Sequence, residues 1–340
     1  MARADAVSLS LVGAGLGILS GCEGGASTLT NSGVSGTRET LLGAFLLIVA
    51  AAVVVVIGAL VLIAAFRHRE PHGVEAGIEP TRAAVDRRWI LIGGILIPVA
   101  VLATAYVFTV GTLDAVASPG HPYAASVTLT GHQWWWEAVY QDSEPAHSFT
   151  AANEVHLPVG EPVYFGVQTA DVIHSFWVPE LAGKIELIPG RQNSLWLEAR
   201  VPGVFVGLCS QYCGTQHAHM RITVVAESPD AFHGWLARQR ESAPAPADST
   251  QAAGQQVFLT RGCASCHTIR GTGAGGAMGP DLTHLASRHM LGAGAMPNTP
   301  PNLMAWIQDA QGIKPGSDMP RMDLPPRELE ALVAYLETLR

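Results

Sequence analysis

The segment Val204–Met220, with the sequence VFVGLCSQYCGTQHAHM, concentrates metal-binding side chains in one short stretch. It holds two cysteines, two histidines and a methionine, although the whole chain has only five cysteines. A disulfide would use the thiols and leave the other three side chains unexplained, and a structural zinc site has no use for a thioether. Thiolate and thioether sulfur beside imidazole is the ligand set that copper prefers. The segment therefore predicts a copper site.

The composition of the chain indicates several domains, of which one is associated with a membrane. The chain has 340 residues, 48% of them hydrophobic and only 14% charged, with a net charge of −8. This length accommodates two or three domains. The acidic balance argues against nucleic acid as a partner and is compatible with a basic protein that docks on an acidic face.

The cysteines fall in separate short contexts, so they predict three separate chemistries rather than a disulfide framework. They are Cys22, Cys209, Cys213, Cys263 and Cys266. The first of them ends the sequence LSGC, which follows one arginine and the apolar run VSLSLVGAGLGIL. Small residues at this place are typical of a signal-peptidase site. LSGC also resembles a bacterial lipobox, in which the cysteine is acylated, and this resemblance implies that residues 1–21 are a lipoprotein-type signal peptide and that Cys22 carries a lipid anchor; an ordinary signal peptide with a chance cysteine is the alternative.

Two uncharged apolar runs follow, Leu41–Phe66 and Trp89–Val110. About 20 such residues suffice to cross the hydrocarbon core of a bilayer, so we expect a hairpin of two transmembrane helices within residues 22–112. The segment between the runs holds five arginines, whereas residues 23–40 and 111–125 together hold only one. The positive-inside rule therefore predicts a cytoplasmic connecting segment and an outside location for everything that follows the second helix.

Residues 113–240 have the pattern of an all-β domain. The stretches ASVTLTGHQWWWEAVY and EVHLPVGEPVYFGVQT alternate apolar and polar residues and are interrupted by Gly and Pro, as in the strands of a β-sandwich or barrel. MRITVVAE predicts a last strand after the metal-binding segment, and SPDAFHGWLARQR predicts a short helix. Because side chains alternate between the faces of a strand, at least one of the three consecutive tryptophans, Trp134–Trp136, should pack in the core.

The C-terminal part carries a second redox motif. Pro, Ala and Ser in ESAPAPADSTQA predict a linker over residues 241–252. In residues 253–340, the sequence Cys263-Ala-Ser-Cys266-His267 is the attachment signal of a c-type haem, in which the thiols form thioethers and the histidine binds the iron. A redox dithiol is the alternative reading of the two cysteines. The last segment, PRELEALVAYLETL, predicts a helix with one apolar face; its apolar residues are Leu329, Leu332, Val333, Leu336 and Leu339.

The segment CSQYCGTQHAHM resembles the CuA motif of cytochrome c oxidase subunit II, Cys-x3-Cys-x3-His-x2-Met. DVIHSF resembles the segment that supplies the other histidine of that site, and GHQWWWEAVY resembles the aromatic strand of the same family. The resemblance covers about residues 20–240, and the tail resembles a class I cytochrome c. It implies a multi-domain fold: a two-helix transmembrane hairpin, then an all-β cupredoxin-like Greek-key barrel, then an all-α class I cytochrome c domain.

The resemblance also implies the cofactors, a binuclear copper centre (CuA, two copper ions) and one covalently bound haem c. The implied copper ligands are His174, Cys209, Cys213, His217, Met220 and the backbone carbonyl of Gln211. The implied haem ligands are Cys263 and Cys266, which attach the haem, with His267 and Met319 as axial ligands of the iron. Met322 and Met296 are the alternatives to Met319. Composition leaves His217 and His219 equivalent, and the spacing in the family selects His217.

Three further residues take their interpretation from the family. Trp134 matches the aromatic residue through which electrons enter. Gln211 stands where the family commonly has a glutamate that helps to hold magnesium, and a neutral amide is a weaker ligand for such a hard cation. Asp86 stands near a glutamate at the mouth of a proton path, and a chance acid at the membrane border is the simpler reading. The family counterpart of the last helix packs against an N-terminal helix, here the one with Gly254 and Phe258.

The implied function is that of subunit II in a caa-type cytochrome c oxidase, in the bacterial inner membrane, with the copper and haem domains on the periplasmic face. Electrons would come from cytochrome c or a cytochrome bc complex and pass through the chain to subunit I, which reduces O2 to water and pumps protons. Neither apolar run contains histidine, so the haems of subunit I are not bound by this chain. The alternatives are the electron-accepting subunit of a nitric oxide reductase and a membrane-tethered redox shuttle without a catalytic partner.

Overall fold

The computed structural model of the protein describes residues 26–30, 32–67 and 87–340. The described residues divide into two compact units: those within Arg38–Ser118, and the remainder, which precede Arg38 or run from Pro119 to Arg340. The predicted signal peptide over residues 1–21, the predicted lipid attachment site Cys22 and the acidic residue Asp86 lie outside the described residues.

The first unit is built from two long apolar helices, α1 (Val34–Phe66) and α2 (Arg87–Ala117), each long and apolar enough to cross a membrane. The second contains a π-helical turn at Ile92–Leu96. The two helices meet where the rings of Phe45 and Phe108 stack, with their centroids 5.2 Å apart. Large apolar side chains are exposed along both helices, which is a surface suited to lipid rather than to water.

Among the described residues of the second unit, ten strands form two five-stranded sheets. The strands are β1 (Ala125–His132), β2 (Trp135–Gln141), β3 (Phe149–Ala152), β4 (Glu154–Pro158), β5 (Val163–Thr169), β6 (His174–Trp177), β7 (Ile185–Leu187), β8 (Asn193–Leu197), β9 (Gly203–Cys209) and β10 (Arg221–Glu227). The strand orders are β3-β2-β1-β5-β8 and β4-β10-β9-β6-β7. The β1–β5 and β4–β10 pairs are parallel and the other pairs are antiparallel.

This domain confirms the predicted all-β cupredoxin-like fold, in the form of a sandwich whose core lies between the sheets. The alternation read from the sequence accounts for the packing: Val127 and Leu129 of β1 are fully buried, as is Trp136 of β2. Trp136 is therefore the expected core tryptophan of the three. Its neighbour Trp135 stacks on the imidazole of His132, with the ring centroids 4.3 Å apart.

The predicted short helix is α3 (Pro229–Arg240), which begins after Ser228, whose hydroxyl accepts a hydrogen bond from the backbone N–H of Ala231. The segment predicted as a linker, 241–252, is partly helical because Asp248 caps the next helix, which begins at Ser249. The residues before that helix are held against the following domain, since the N–H of Ala243 donates to the carbonyl of Arg270 at 2.9 Å.

The C-terminal domain is helical, as predicted. Its helices are α4 (Ser249–Thr260), α5 (Cys263–Cys266), α6 (Pro300–Gln308), α7 (Ala310–Ile313) and α8 (Pro326–Leu336). Two short ladders, β11 (Thr268–Ile269) with β12 (Ala274–Gly275) and β13 (Met290–Leu291) with β14 (Met296–Pro297), lie between them. The apolar face predicted for the last helix is buried, together with Phe258 of α4. Helices α4 and α8 therefore form the centre of this domain.

Replacing Gly254 by alanine should loosen the contact between α4 and α8. A Cβ atom at this position would lie 2.0 Å from the carbonyl oxygen of Ala331, so the helices would have to move apart. Overpacking of this kind costs about 1–3 kcal/mol. Hydrogen exchange of peptides from α4 and α8, followed by mass spectrometry, should become faster. Gly275→Ala is the matched control, because a Cβ there meets nothing within 4 Å; equal exchange in the two variants would contradict the close approach.

The β domain and the helical domain share an interface. The buried carboxylate of Glu154, at the start of β4, accepts hydrogen bonds from the backbone N–H of His289 at 2.8 Å and contacts its Nδ1 at 2.9 Å. Burial would raise the pKa of Glu154, but its hydrogen bonds with His156 and His289 lower it below the ordinary value. The backbone N–H of Arg221 donates to the carbonyl of Ala293 at 3.0 Å. The end of the metal-binding segment is thus attached to the helical domain.

Candidate metal centres

The metal-binding segment forms a loop between β9 and β10. The backbone N–H of Cys209 donates to the carbonyl of Met220 at 3.0 Å and closes the base of the loop. The carbonyl of Cys213 accepts hydrogen bonds from Nε1 of Trp134 at 2.9 Å and from Nε2 of Gln133 at 2.7 Å. The loop is therefore held at its base by the sheet and at its middle by the turn that precedes β2.

The loop gathers sulfur atoms at one point. Sγ of Cys209 lies 3.7 Å from Sγ of Cys213, which lies 3.9 Å from Sδ of Met220. The carbonyl oxygen of Gln211 lies 3.2 Å from Sγ of Cys209. Both cysteines are free thiols. A disulfide is thereby excluded as the explanation of the pair.

One imidazole lies beside each of the two cysteine sulfur atoms. Nδ1 of His174, at the start of β6, lies 3.8 Å from Sγ of Cys209, because β6 pairs with β9 in the same sheet. Nδ1 of His217 lies 3.6 Å from Sγ of Cys213. The ring of His219 turns to Gln216 instead, with Nδ1 at 2.8 Å from Oε1. The structure thus brings the predicted set together and leaves His219 outside it.

This arrangement fits metal ions. Ligand atoms at about 2.0–2.3 Å from one ion lie roughly 3.3–3.8 Å apart along the edges of a tetrahedron. The separations within the cluster are of this size, and the ligand atoms of His174, Cys209 and Cys213 lie within 4.8 Å of one another. Two adjacent sulfurs with an imidazole beside each one can serve two ions, since a thiolate can bridge. The ligand chemistry, soft sulfur and nitrogen, favours copper.

Asp171 orients one of the histidines. Its Oδ1 lies 2.7 Å from Nε2 of His174, and its Oδ2 accepts a hydrogen bond from the backbone N–H of Gln133 at 2.6 Å. Burial would raise the pKa of Asp171, but the hydrogen bonds from His174 and from backbone N–H groups hold the pKa below its ordinary value. The carboxylate therefore keeps Nε2 as the donor and leaves Nδ1 free to face the sulfur atoms.

Asp171→Ala should weaken copper binding. Removal of a partner of this kind lowers metal affinity by about 10–100-fold, because the imidazole loses its fixed orientation and tautomer. A titration against a competing copper chelator measures the change. Asp323→Ala, at a carboxylate whose side chain is 94% exposed, is the matched control. Equal copper affinity in both variants would remove Asp171 from this role.

The helical domain encloses a cavity of about 450 Å³, which lies within the size range of cofactor pockets. The lining includes Cys263 and Cys266 of α5, the following His267, and Met319. Apolar side chains from α4, α6 and α8 form much of the remaining lining, together with Trp134 and Trp135 of the β domain; among the helix residues are Phe258, Leu303, Ile307, Leu332 and Leu336. Two thiols, one imidazole and a thioether in an apolar cavity fit a covalently attached haem.

His267 has the orientation and the neutral ring that binding of a metal ion requires. Its Nδ1 lies 2.7 Å from the carbonyl of Pro280, which fixes Nδ1 as the donor and leaves Nε2 as the free ligand atom. Burial lowers the pKa of this histidine, so the neutral ring is favoured. Gly279 allows the ring to take this place, since a Cβ there would lie 2.7 Å from Cε1 of His267.

The three candidate methionines differ in their position relative to the cavity. Met319 and Met322 line the cavity, and Met296, which belongs to β14, is not among its lining residues. The carbonyl of Met319 accepts a hydrogen bond from Nε2 of Gln311 at 2.7 Å, so the backbone at this methionine is fixed. Of the three methionines that the sequence offered, the cavity therefore holds Met319 and Met322; Met278 and Met290 also line it.

Trp134 connects the two candidate sites. Its indole is 8% exposed and donates to the carbonyl of Cys213, and the same residue lines the cavity of the helical domain. A Cβ at Gly214 of the copper loop would lie 2.9 Å from the indole, and a Cβ at Gly316 would lie 3.7 Å from it. The ring is therefore packed between the copper loop and the segment that leads to Met319.

Sequence reasoning missed the residues that support the ligands. Asp171 stands three positions before His174 in DVIHSF, which is a signal that the spacing could have supplied. Pro280 orients His267 through its backbone carbonyl. Gln133 contacts Asp171 through its backbone N–H and the copper loop through its side-chain amide. The side-chain types of these two residues do not indicate such roles. Lys314 was also missed; its buried ammonium lies at the domain interface.

A cupredoxin-like domain with a sulfur and imidazole loop, followed by a helical domain with a haem-binding motif, defines a membrane-associated copper and haem protein. Comparison with family models agrees with this class. Residues 145–227 match the periplasmic domain of cytochrome c oxidase subunit II, and residues 251–340 match cytochrome c. The chain thus carries the periplasmic domain of the cytochrome c oxidase subunit II family, followed by a cytochrome c domain. These two domains imply CuA copper and haem c.

The chain is also similar to individual proteins. Cytochrome c oxidase subunit 2 of Alkalihalophilus pseudofirmus is 41% identical over 215 residues, which are 63% of this chain and 61% of that protein. The Bacillus subtilis protein of the same name is 28% identical, over 95% of this chain and 94% of its own length. The periplasmic domain of subunit II of cytochrome oxidase from Bradyrhizobium japonicum is 31% identical, with a TM-score of 0.33, over 35% of this chain and 96% of that domain.

Proposed function

We propose that the chain is subunit II of a bacterial haem–copper cytochrome c oxidase and that it conducts electrons from a donor to subunit I, where O2 is reduced to water with proton pumping. Cytochrome c and a cytochrome bc complex are the proposed donors. The observation that carries the proposal is the pair of thiols 3.7 Å apart, one imidazole beside each, in the same unit as a cavity with a haem-attachment motif. When bound, haem and the copper pair supply one-electron redox chemistry.

We assign the copper site to the six groups implied by the family. These are the side chains of His174, Cys209, Cys213, His217 and Met220 and the carbonyl of Gln211. The burial of the three sulfur-bearing residues, Cys209, Cys213 and Met220, supports the assignment. Ligands packed in a core change little in position when an electron arrives, and rapid electron transfer requires this property. The side chain of Gln211 is exposed, and we assign no magnesium to it.

We assign haem attachment to Cys263 and Cys266 and the axial positions to His267 and Met319. Support comes from the orientation of His267 by the carbonyl of Pro280 and from the presence of Met319 in the same cavity. Trp134 is the proposed aromatic residue through which electrons reach the copper site. Its hydrogen bond to the carbonyl of Cys213 and its place in the wall of the cavity support this role.

The proposed location is the bacterial inner membrane, with both redox domains on the periplasmic side. The two exposed apolar helices support a membrane anchor, and the match to a periplasmic domain supports the side. In this proposal α1 and α2 both cross the membrane, the arginine-rich segment between them is cytoplasmic, and Cys22 carries the lipid.

Purification of the native protein in mild detergent tests the function. We expect it to be isolated with a haem-containing subunit I and to consume O2 when a reduced donor is supplied. Consumption of nitric oxide without O2 consumption would assign the chain to a nitric oxide reductase. Isolation without any haem-containing partner, in every detergent that retains lipid, would support a redox shuttle and contradict the proposal.

A further inference from the structure

Lys314 is a buried cation at the junction of the two redox domains. Its side chain is 3% exposed, directly after α7 and five positions before Met319. Nζ donates to the carbonyl oxygens of Trp134 at 2.7 Å, of His219 at 2.9 Å and of Gly292 at 2.9 Å. Two of these acceptors belong to the β domain and one belongs to the helical domain.

The burial of this group requires a compensating interaction. An ammonium withdrawn from water is costly, and burial lowers the pKa of Lys314 to about 7. The three carbonyl groups provide one acceptor for each of the three N–H bonds of the protonated form, so its donors are satisfied. The hydrogen bonds all go to main-chain atoms, so the ammonium fixes the positions of three backbone segments.

Each of the three segments belongs to a redox site. Trp134 donates its indole N–H to the carbonyl of Cys213. His219 directly precedes Met220 in the copper loop. Gly292 lines the haem cavity, as Lys314 itself does. The ammonium is therefore a common point of attachment for the tryptophan, the copper loop and the rim of the cavity.

Neighbouring contacts reinforce the same attachment. Nε2 of Gln216, in the copper loop, donates to the carbonyl of Pro315 at 2.9 Å. Gly316, the next residue, faces the indole of Trp134. The sequence from Lys314 to Gly316 thus lies on the copper loop along its length, just before the chain reaches Met319.

We propose that Lys314 is a positioning residue that holds the haem cavity, Trp134 and the copper loop at a fixed separation and thereby sets the rate of electron transfer within the chain. The inference rests on the proposed function. In the step concerned, haem iron is oxidised by one electron and the copper pair is reduced by one electron, and no proton or leaving group moves. Since small displacements of positioned groups can cost about 100-fold in rate, loss of this attachment should be readily measurable.

Lys314→Met removes the three donors and keeps a side chain of similar length. The full-length protein, loaded with copper and haem, receives one electron at the haem from a photoactivated reductant, and absorbance then follows its arrival at the copper pair. We expect metal content and the spectra of both sites to be retained and the transfer rate to fall at least tenfold. Lys184→Met, at an exposed lysine of the β domain, is the matched control and should transfer electrons at the unaltered rate.

Two further measurements keep the test decisive. Lys314→Arg retains the charge but presents a planar group that cannot satisfy three carbonyls converging on one point. Electron transfer should therefore again be slowed. This variant replaces Lys314→Met if the methionine variant fails to bind its cofactors. Hydrogen exchange of residues 214–221 and 290–294 should accelerate in both variants. An unchanged transfer rate in a loaded variant, or unchanged exchange in these two segments, would overturn the proposal.

The proposal and the function on which it rests fail in different ways. If the unaltered protein transfers no electron from haem to copper, the proposed function is wrong, whatever the variants do. If the unaltered protein transfers electrons and the Lys314 variants do so equally fast, only the positioning role is wrong.

Discussion

The Cys213→Ser variant should bind fewer than two copper ions per chain and should lack the near-infrared absorption of a mixed-valence copper pair. Sγ of Cys213 contacts three other candidate ligand atoms, with Sγ of Cys209 at 3.7 Å, Nδ1 of His217 at 3.6 Å and Sδ of Met220 at 3.9 Å. A serine hydroxyl stays protonated at neutral pH and is a hard donor, so it cannot replace a bridging thiolate. Loss of a supporting group costs about 10–100-fold in metal affinity, and loss of this ligand should cost more.

Cys266→Ser is the reciprocal control for this variant. It removes a thiol from the haem cavity and leaves the copper loop intact, so its near-infrared band should persist while covalent attachment of haem is impaired. Electron transfer to copper, measured with an external reductant, should be lost in the Cys213 variant. A band of full intensity in Cys213→Ser would exclude Cys213 as a copper ligand.

Met319→Ala should lower the reduction potential of the haem by a substantial part of the roughly 0.8 V over which axial ligands tune haem iron. A thioether ligand raises the potential, because it stabilises the ferrous state, and alanine leaves that position to water or to a substitute ligand. Met319 lines the cavity and its backbone is held by Gln311. A redox titration of the haem absorbance in the full-length protein measures the potential.

Two matched substitutions show whether the change in potential is specific to Met319. Met322→Ala removes the alternative from the same stretch of chain, which also lines the cavity, and Met296→Ala removes a methionine that is not among the lining residues. Both should leave the potential close to that of the unaltered protein. If the potential is unchanged in Met319→Ala and falls in Met322→Ala, the axial ligand is Met322 and the assignment made from the sequence is wrong.

The ligands were predictable because most of them are close in sequence. Cys209, Cys213, His217 and Met220 lie in one loop, and their residue types suggest a copper site; the resemblance to the family implied the copper pair. His174 is 35 positions away from Cys209, and only the pairing of β6 with β9 brings the two residues together. The family resemblance supplied that contact, since periodicity alone does not specify which strands pair.

The fold was predictable where hydrophobic periodicity is strong. The alternation in β1 and β2 and the apolar face of α8 correspond to buried residues in the structure. The segment 241–252 differs from its predicted character, because Asp248 begins a helix within it and Ala243 is hydrogen-bonded to Arg270. A composition rich in Pro indicates low helix propensity, and it does not indicate contacts with a neighbouring domain.

The domain interface was not predictable from the sequence. Lys314 acts on carbonyl oxygens from three separate stretches of chain, and a carbonyl is common to every residue type. The same holds for Pro280, which orients His267 through its main chain. Sequence patterns identify ligands by side-chain chemistry, whereas the groups that orient the ligands here are largely backbone atoms, and only the folded structure reveals them.

Metal analysis of the natively purified protein tests the central claim most directly. We expect two copper ions and one haem iron per chain, with the near-infrared absorption of a mixed-valence pair. A single copper ion, or zinc in the sulfur and imidazole cluster of natively purified protein, would contradict it.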